Sequence, residues 1–160
     1  MHIWCKNSSF QALTNTRMNR EDMAHLSLHS ALGGFVSGQI LLRSWWETVD
    51  IKDFKIVSDG DIPAEITLYL QDYRIYNDGI PYPDCLLPMK PCTIKGNFTQ
   101  AVVVGVKVPE DSTVGSYKFK IVFDTSLGER SADIILNYLS RAVITNVKSP
   151  AYGKVLFAVS

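Results

Sequence analysis

The sequence lacks a surplus of charge of either sign. Sixteen basic residues balance sixteen acidic residues among 160, so the formal net charge at pH 7 is zero. Lys and Arg are not concentrated in any stretch, whereas a protein that tracks a phosphate backbone needs a strongly basic surface. We therefore expect no nucleic-acid partner.

Long hydrophobic runs are also missing. The mainly apolar stretches, such as residues 134–139, are far shorter than the roughly 20 residues needed to span a bilayer. Met1 is followed by His2 and Ile3 without the basic region, apolar core and cleavage site of a secretory signal. The sequence predicts no membrane partner. As written it predicts a cytoplasmic protein, or a secreted one if a leader has been removed.

Cysteine is scarce. Cys5, Cys85 and Cys92 make an odd count, which argues against a full disulfide framework. Cys85 and Cys92 could close a small loop, but buried free thiols are the favoured interpretation.

What the sequence does contain is typical of one globular β domain. Hydrophobic residues make up 46% and charged residues 20%, and a chain of this length buries roughly two-thirds of its unfolded surface in one core. Its periodicity predicts short strands separated by turn clusters, and no helix of normal length. The predicted strands are residues 2–5, 24–30, 35–44, 49–57, 65–76, 99–108, 116–123, 131–139, 142–147 and 154–159.

This pattern favours an all-β fold, an antiparallel two-sheet β-sandwich of immunoglobulin-like or jelly-roll-like type with little or no helix. We expect residues 1–160 to form a single domain, in which residues 141–160 add a C-terminal pair of strands. Residues 117–123 alternate between apolar and mostly polar side chains and are expected to pack sheet on sheet. The segment 80–91 holds four prolines, which donate no backbone hydrogen bond, so we expect a long ordered crossover there.

Three segments in order resemble the N-terminal β-sandwich domain of glycoside hydrolase family 123 and related uncharacterised bacterial proteins. They are SALGGFVSGQILLRS (residues 30–44), YPDCLLP (82–88) and VPEDSTVGSYKFKIVF (108–123). A small-residue stretch leads into a strand that carries Gln39, and a Pro-rich crossover and a Pro, acidic, Gly, Tyr pattern follow. The resemblance spans about residues 1–140. It leaves open whether the chain is an excised domain or a free-standing relative.

The resemblance implies that the chemistry lies elsewhere. In that family an adjacent Asp-Glu pair on a downstream barrel works by substrate assistance on an N-acetylated sugar. This chain has no Asp-Glu dipeptide, and Glu21-Asp22 and Glu110-Asp111 have the opposite order. A barrel also needs about 250 residues. No catalytic residue can therefore be carried over to this sequence.

The remaining polar clusters have ordinary structural explanations. Asp59 and Asp61 flank Gly60 and could offer oxygens to Ca²⁺, but a calcium site needs six or more ligands, and turn chemistry explains the pair. His25 and His29 would share one face of a strand, whereas a zinc site needs three or four convergent ligands. We predict no metal and no cofactor.

Aromatic residues are the best indication of function in the sequence. Sugar rings stack their C–H groups on exposed aromatic faces, so the candidate ligand-binding residues are Trp45, Trp46, Tyr73, Tyr76 and Tyr82. Adjacent residues of an extended strand point to opposite faces, so we expect at least one of the two tryptophans to enter the core. Packing in a core or a domain interface is the competing interpretation.

Three hypotheses follow. The leading one is a non-catalytic accessory or interaction domain associated with a carbohydrate-active enzyme, whose partner is a neighbouring catalytic domain or another protein. It predicts an exposed apolar patch with a polar rim. The alternative is a carbohydrate-binding module, which predicts a shallow groove with two or more coplanar exposed aromatic rings. The third, a stand-alone hydrolase, requires carboxylates with strongly perturbed titration in a pocket.

Overall fold

A computed structural model describes residues 1–140, which form two five-stranded sheets packed face to face. The first sheet has the order β1-β3-β8-β5-β6 and the second the order β2-β10-β9-β4-β7. The strands are β1 (His2–Asn7), β2 (His25–Ala31), β3 (Phe35–Arg43), β4 (Val49–Val57), β5 (Glu65–Ile75), β6 (Pro81–Pro88), β7 (Cys92–Ile94), β8 (Thr99–Lys107), β9 (Gly115–Thr125) and β10 (Gly128–Leu139).

This architecture confirms the predicted all-β two-sheet β-sandwich. Residues 1–140 contain no helix, and so none that is long and apolar enough to cross a membrane. The pairing of β2 with β10 is parallel, and the other strand pairings of the described chain are antiparallel. The predicted strands 142–147 and 154–159 lie outside the described residues.

The core is built by the alternation seen in the sequence. Val102 and Val104 of β8 are fully buried and face the second sheet, where Ile121 and Phe123 of β9 are fully buried as well. β8 lies in the middle of its sheet, between β3 and β5. The expectation that residues 117–123 serve the core is confirmed, with Tyr117 partly buried at its margin.

The prediction for residues 80–91 was wrong. Pro81–Pro88 forms a strand, β6, that pairs with β5 and has a register shift opposite Gln71 and Tyr73. Because β6 is the last strand of its sheet, it bonds to a neighbour on one side only. Prolines are tolerated at such an edge, where they also deter pairing with another chain.

A second, smaller core lies on the outer face of the first sheet. The segment between β1 and β2, residues 8–24, packs Ala12 against fully buried Trp4 and Leu41. Gln39, the residue on which the family resemblance partly rests, fixes this segment. Its buried amide donates to the carbonyl oxygens of Asn7 at 3.0 Å and Phe10 at 2.6 Å.

The cysteines are free, as favoured from the sequence, but burial is uneven. Cys5 is buried, whereas Cys85 and Cys92 are partly exposed. Burial is the main reason, and the charge of Asp133 a further one, that the pKa of Cys5 is raised to about 12. The Cys5 thiol is therefore expected to be unreactive in the folded protein.

Candidate functional site

The candidate aromatic residues lie at one end of the first sheet. β3 ends at Arg43, opposite the start of β8 at Thr99. β5 is also antiparallel to β8 and ends at Ile75, on the same side. The loop after β3 carries the two tryptophans, and the end of β5 and the following hairpin carry the three tyrosines. The strand topology therefore places all five candidates at this end, in two separate groups.

Both tryptophans are exposed, Trp45 by 45% and Trp46 by 77% of the residue surface. The expectation that one of them enters the core was wrong. β3 ends before them, so they lie in the loop between β3 and β4 rather than in an extended strand. The Trp45 ring meets the His2 ring edge to face at 5.3 Å, and its carbonyl accepts a hydrogen bond from the Asn97 amide.

Beside the tryptophans lies a cleft of about 350 Å³ that we call the Arg43 cleft. It is lined by His2, Arg17, Met18, Arg43, Trp45, Trp46 and Asn97. Arg43 is only 7% exposed, and its Nη1 donates to Thr99 Oγ1 at 3.1 Å. Burial and then the positive charge of Arg17 lower the pKa of Arg43. No carboxylate lines the cleft or forms an ion pair with either arginine among residues 1–140.

The three candidate tyrosines differ in their exposure and in their hydrogen bonds. Tyr76 is 55% exposed, and its ring centroid lies 6.2 Å from that of partly buried Tyr82. The Tyr82 hydroxyl donates to Asp78 Oδ2 at 2.8 Å. This bond raises the pKa of Tyr82. The pKa of Asp78 is lowered, mainly by a hydrogen bond from the backbone amide of Ile80 and then by the one from the Tyr82 hydroxyl. Tyr73 is partly buried, and its hydroxyl is fully enclosed.

Neither aromatic pair forms a flat platform. The ring planes of Trp45 and Trp46 meet at 49°, with centroids 5.6 Å apart, and those of Tyr76 and Tyr82 meet at 50°. Each pair therefore forms an angled notch instead of the coplanar surface expected for a binding module.

A second cleft of about 400 Å³ opens between the sheets, beside β5 and β7. Two of its polar side chains, Gln71 and Gln100, already bond to the backbone of the protein. Gln100 Nε2 donates to the Gln71 carbonyl at 2.8 Å, and Gln71 Nε2 donates to the Cys85 carbonyl at 3.2 Å. Because these amide groups already bond to the backbone, they fix the strands and are less available to a ligand.

The metal candidates are not brought together. No group of three or more His, Cys, Asp or Glu side chains is placed to hold a metal ion within residues 1–140. The contact found for His25 is with its neighbour on the strand, Ser27, at 3.4 Å.

An apolar patch occupies the part of the outer face that residues 8–24 leave uncovered. We call it the Phe35 patch, and its members are Phe35, Tyr69, Leu86, Pro88 and Val103. Phe35 is 62% and Leu86 45% exposed. Tyr69 lies directly opposite Val103 on one side and Pro88 on the other.

The patch is continuous because two rings close over a glycine. A Cβ atom at Gly105 would lie 3.1 Å from Phe35 Cζ and 3.3 Å from Tyr69 Cε2, so both rings cover the bare backbone. Lys107 is opposite both Phe35 and Glu65, which gives the patch a charged border at its far end.

Sequence reasoning missed the Arg43 cleft and the Phe35 patch. The signal for the first was a single arginine at the end of an apolar strand, in the run ILLRS. The signal for the second was period-two alternation, which places residues 35 and 69 on outward-facing positions. Neither signal shows which strands are neighbours, so neither could define a site.

No protein-family model and no curated protein matches the chain. Among solved structures, the chain is similar to a family 123 glycoside hydrolase from Clostridium perfringens, solved in work on glycolipid glycan hydrolysis. The TM-score is 0.60 and the identity 12%, over 87% of this chain and 27% of that one. The chain thus spans about a quarter of the length of that hydrolase.

Two further similar structures are the PapD-like domain 7 of human CEP192 and the N-terminal domain of PorA. The first has a TM-score of 0.41 and 7% identity over 73% of this chain and 82% of that one. The second has a TM-score of 0.37 and 10% identity over 88% of this chain and 98% of that one. What this chain shares with part of the family 123 hydrolase is its β-sandwich fold.

Proposed function

We propose that the chain is a non-catalytic β-sandwich accessory domain, related to the N-terminal domain of family 123 glycoside hydrolases, and that the Phe35 patch packs against a catalytic domain. The patch is the observation that carries this proposal. It supplies an exposed apolar surface with a charged border at one end, as is typical of an interface. The partial match to a longer glycoside hydrolase supports a catalytic domain as the occupant.

The partner in a test is the catalytic domain encoded in the same gene or beside it. We expect Phe35→Lys to weaken its binding in calorimetry by tenfold or more, because a buried aromatic anchor contributes at least about 1.4 kcal/mol. Val114→Lys is the matched control, since Val114 is also exposed, by 51%, and lies outside the patch. Equal affinities for the two variants, or the absence of a neighbouring glycoside hydrolase, would contradict the proposal.

Phe35→Lys must also leave the fold intact. Because Phe35 is 62% exposed, we expect its replacement to change the free energy of unfolding by less than about 0.5 kcal/mol. A larger loss in urea denaturation would mean that the patch serves the fold and not an interface.

A second candidate function is carbohydrate binding, favoured by the exposure of Trp45 and Trp46 beside the Arg43 cleft. We expect tryptophan fluorescence to shift saturably with a mono- or polysaccharide, and Trp46→Ala to weaken this binding several-fold while the protein stays folded. If the fluorescence does not change with N-acetylgalactosamine, N-acetylglucosamine or a panel of polysaccharides, carbohydrate binding is contradicted and the accessory role remains as the proposed function.

A further inference from the structure

The Arg43 cleft contains a buried positive charge that the described chain does not neutralise. A guanidinium group has five N–H donors, and a buried arginine is normally paired with an acid. Arg43 makes one side-chain hydrogen bond, to Thr99 Oγ1, and this hydroxyl itself donates to the Thr16 carbonyl. The other donors of Arg43 therefore have no protein acceptor within residues 1–140.

The surroundings add to this positive character. Arg17, which is exposed, is close enough for its charge to act on Arg43. His2 and Asn97 supply further polar groups to the cleft wall. A cleft with two arginines and no acidic residue selects for an anion, and guanidinium groups bind carboxylate and sulfate oxygens by paired hydrogen bonds.

The tryptophans indicate what carries that anion. Trp45 and Trp46 form an angled notch at the mouth of the cleft, with both rings exposed. A sugar ring can place its C–H face on one indole while an acidic substituent extends to Arg43. A small inorganic anion would use the arginines but not the rings.

We propose that the Arg43 cleft binds a sugar residue that carries a carboxylate or sulfate group, with Arg43 and Arg17 on the acid and a tryptophan on the ring. This inference rests on the second candidate function and names the ligand class for it. It is independent of the Phe35 patch, which lies toward the opposite end of the first sheet.

The test compares acidic sugars with their neutral counterparts on the full chain. The probes are glucuronic acid against glucose and galactose 6-sulfate against galactose, with sodium sulfate as the free anion. Binding is followed by calorimetry and by tryptophan fluorescence. We expect at least one acidic sugar to bind about tenfold more tightly, or better, than its neutral counterpart. A hydrogen bond to a charged group contributes enough binding free energy to account for this ratio.

The variants separate recognition from folding. Arg43→Gln is expected to abolish the preference for the acidic sugar, but Arg43 is buried and this variant could fail to fold. Arg17→Gln and Trp46→Ala change exposed residues and should each weaken acidic-sugar binding several-fold. Arg74→Gln is the matched control. Arg74 is exposed, forms an ion pair with Asp84 at a distance of 2.7 Å, and does not line the Arg43 cleft.

Each result decides a different question. Equal binding of acidic and neutral sugars would overturn this inference but leave the carbohydrate-binding function standing. No binding of any sugar would overturn both. Sodium sulfate that binds as tightly as the acidic sugars, with no effect of Trp46→Ala, would show an anion site without sugar recognition and also overturn the inference.

Discussion

Replacing Tyr73 with Phe tests whether the enclosed Tyr73 hydroxyl at the end of β5 stabilises or destabilises the fold. The Tyr73 hydroxyl is fully enclosed and makes no hydrogen bond of good geometry within residues 1–140, although the backbone of Ala101 is close enough to act on its pKa. An enclosed polar group without a partner costs about 1–3 kcal/mol. Because Phe keeps the ring and removes that group, we expect Tyr73→Phe to raise the free energy of unfolding at pH 7 by about 1 kcal/mol.

The same substitution should change the response to alkali. Burial raises the pKa of Tyr73 to about 12 from the ordinary value of 10, and the backbone of Ala101 offsets part of this. The folded protein therefore keeps the phenol proton at a pH where the unfolded chain has begun to lose it. The resulting stability is complete below pH 10 and is lost as the pH rises toward 12. A rise of this size corresponds to at most about 3 kcal/mol.

Urea denaturation followed by circular dichroism at pH 7, 10.5 and 11.5 would measure both effects. Tyr76→Phe is the matched control, because Tyr76 lies three residues away and is 55% exposed. We expect the control to lose stability in alkali as the wild type does, and Tyr73→Phe to lose less. A Tyr73→Phe protein that is destabilised by more than about 1 kcal/mol at pH 7 would refute the reasoning, since it would reveal a bonded hydroxyl.

Three further predictions concern the fold. Asp124 lies directly opposite Asp53 and Glu129 on neighbouring strands, so Asp124→Asn should raise the free energy of unfolding by about 0.2–1 kcal/mol, and 1 M salt should remove the gain. An unchanged gain in salt would exclude charge repulsion. Cys5 should react with a thiol reagent at pH 8 more slowly than the other two cysteines until urea is added, and equal rates would contradict its burial. Trp4→Ala should cost about 3–5 kcal/mol in urea denaturation, whereas a loss below 1 kcal/mol would mean that the small outer core contributes little.

The two main proposals use different surfaces and can fail separately. The Phe35 patch lies on the face of the first sheet, and the Arg43 cleft lies at the opposite end of the strand that begins with Phe35. A domain could carry both, with one surface fixing it to a catalytic domain and the other holding substrate near that domain. Phe35→Lys and Arg17→Gln are therefore informative as a pair, because each should change one kind of binding and leave the other unchanged.

The strands could be predicted from the sequence because successive side chains of a β-strand point to opposite faces, which gives the apolar residues a period of two. Residues 117–123 and 101–108 show this period, and both lie in strands whose inward residues are buried. The prediction failed where edge position overrides local chemistry. The prolines of β6 exclude a central strand but not an edge strand, and a sequence does not show which strand will lie at the edge.

The sequence by itself determined the all-β class, the alternating core and the absence of an Asp-Glu dipeptide, because these depend on residue type and local period. The tertiary structure determined which residues from distant segments of the chain come together and which are exposed. It brought Arg17 and Arg43 to one cleft, exposed both Trp45 and Trp46 where β3 ends, and covered Gly105 with two rings from neighbouring strands. Local pattern specifies which face of a strand is apolar, but only strand order and register specify which side chains meet.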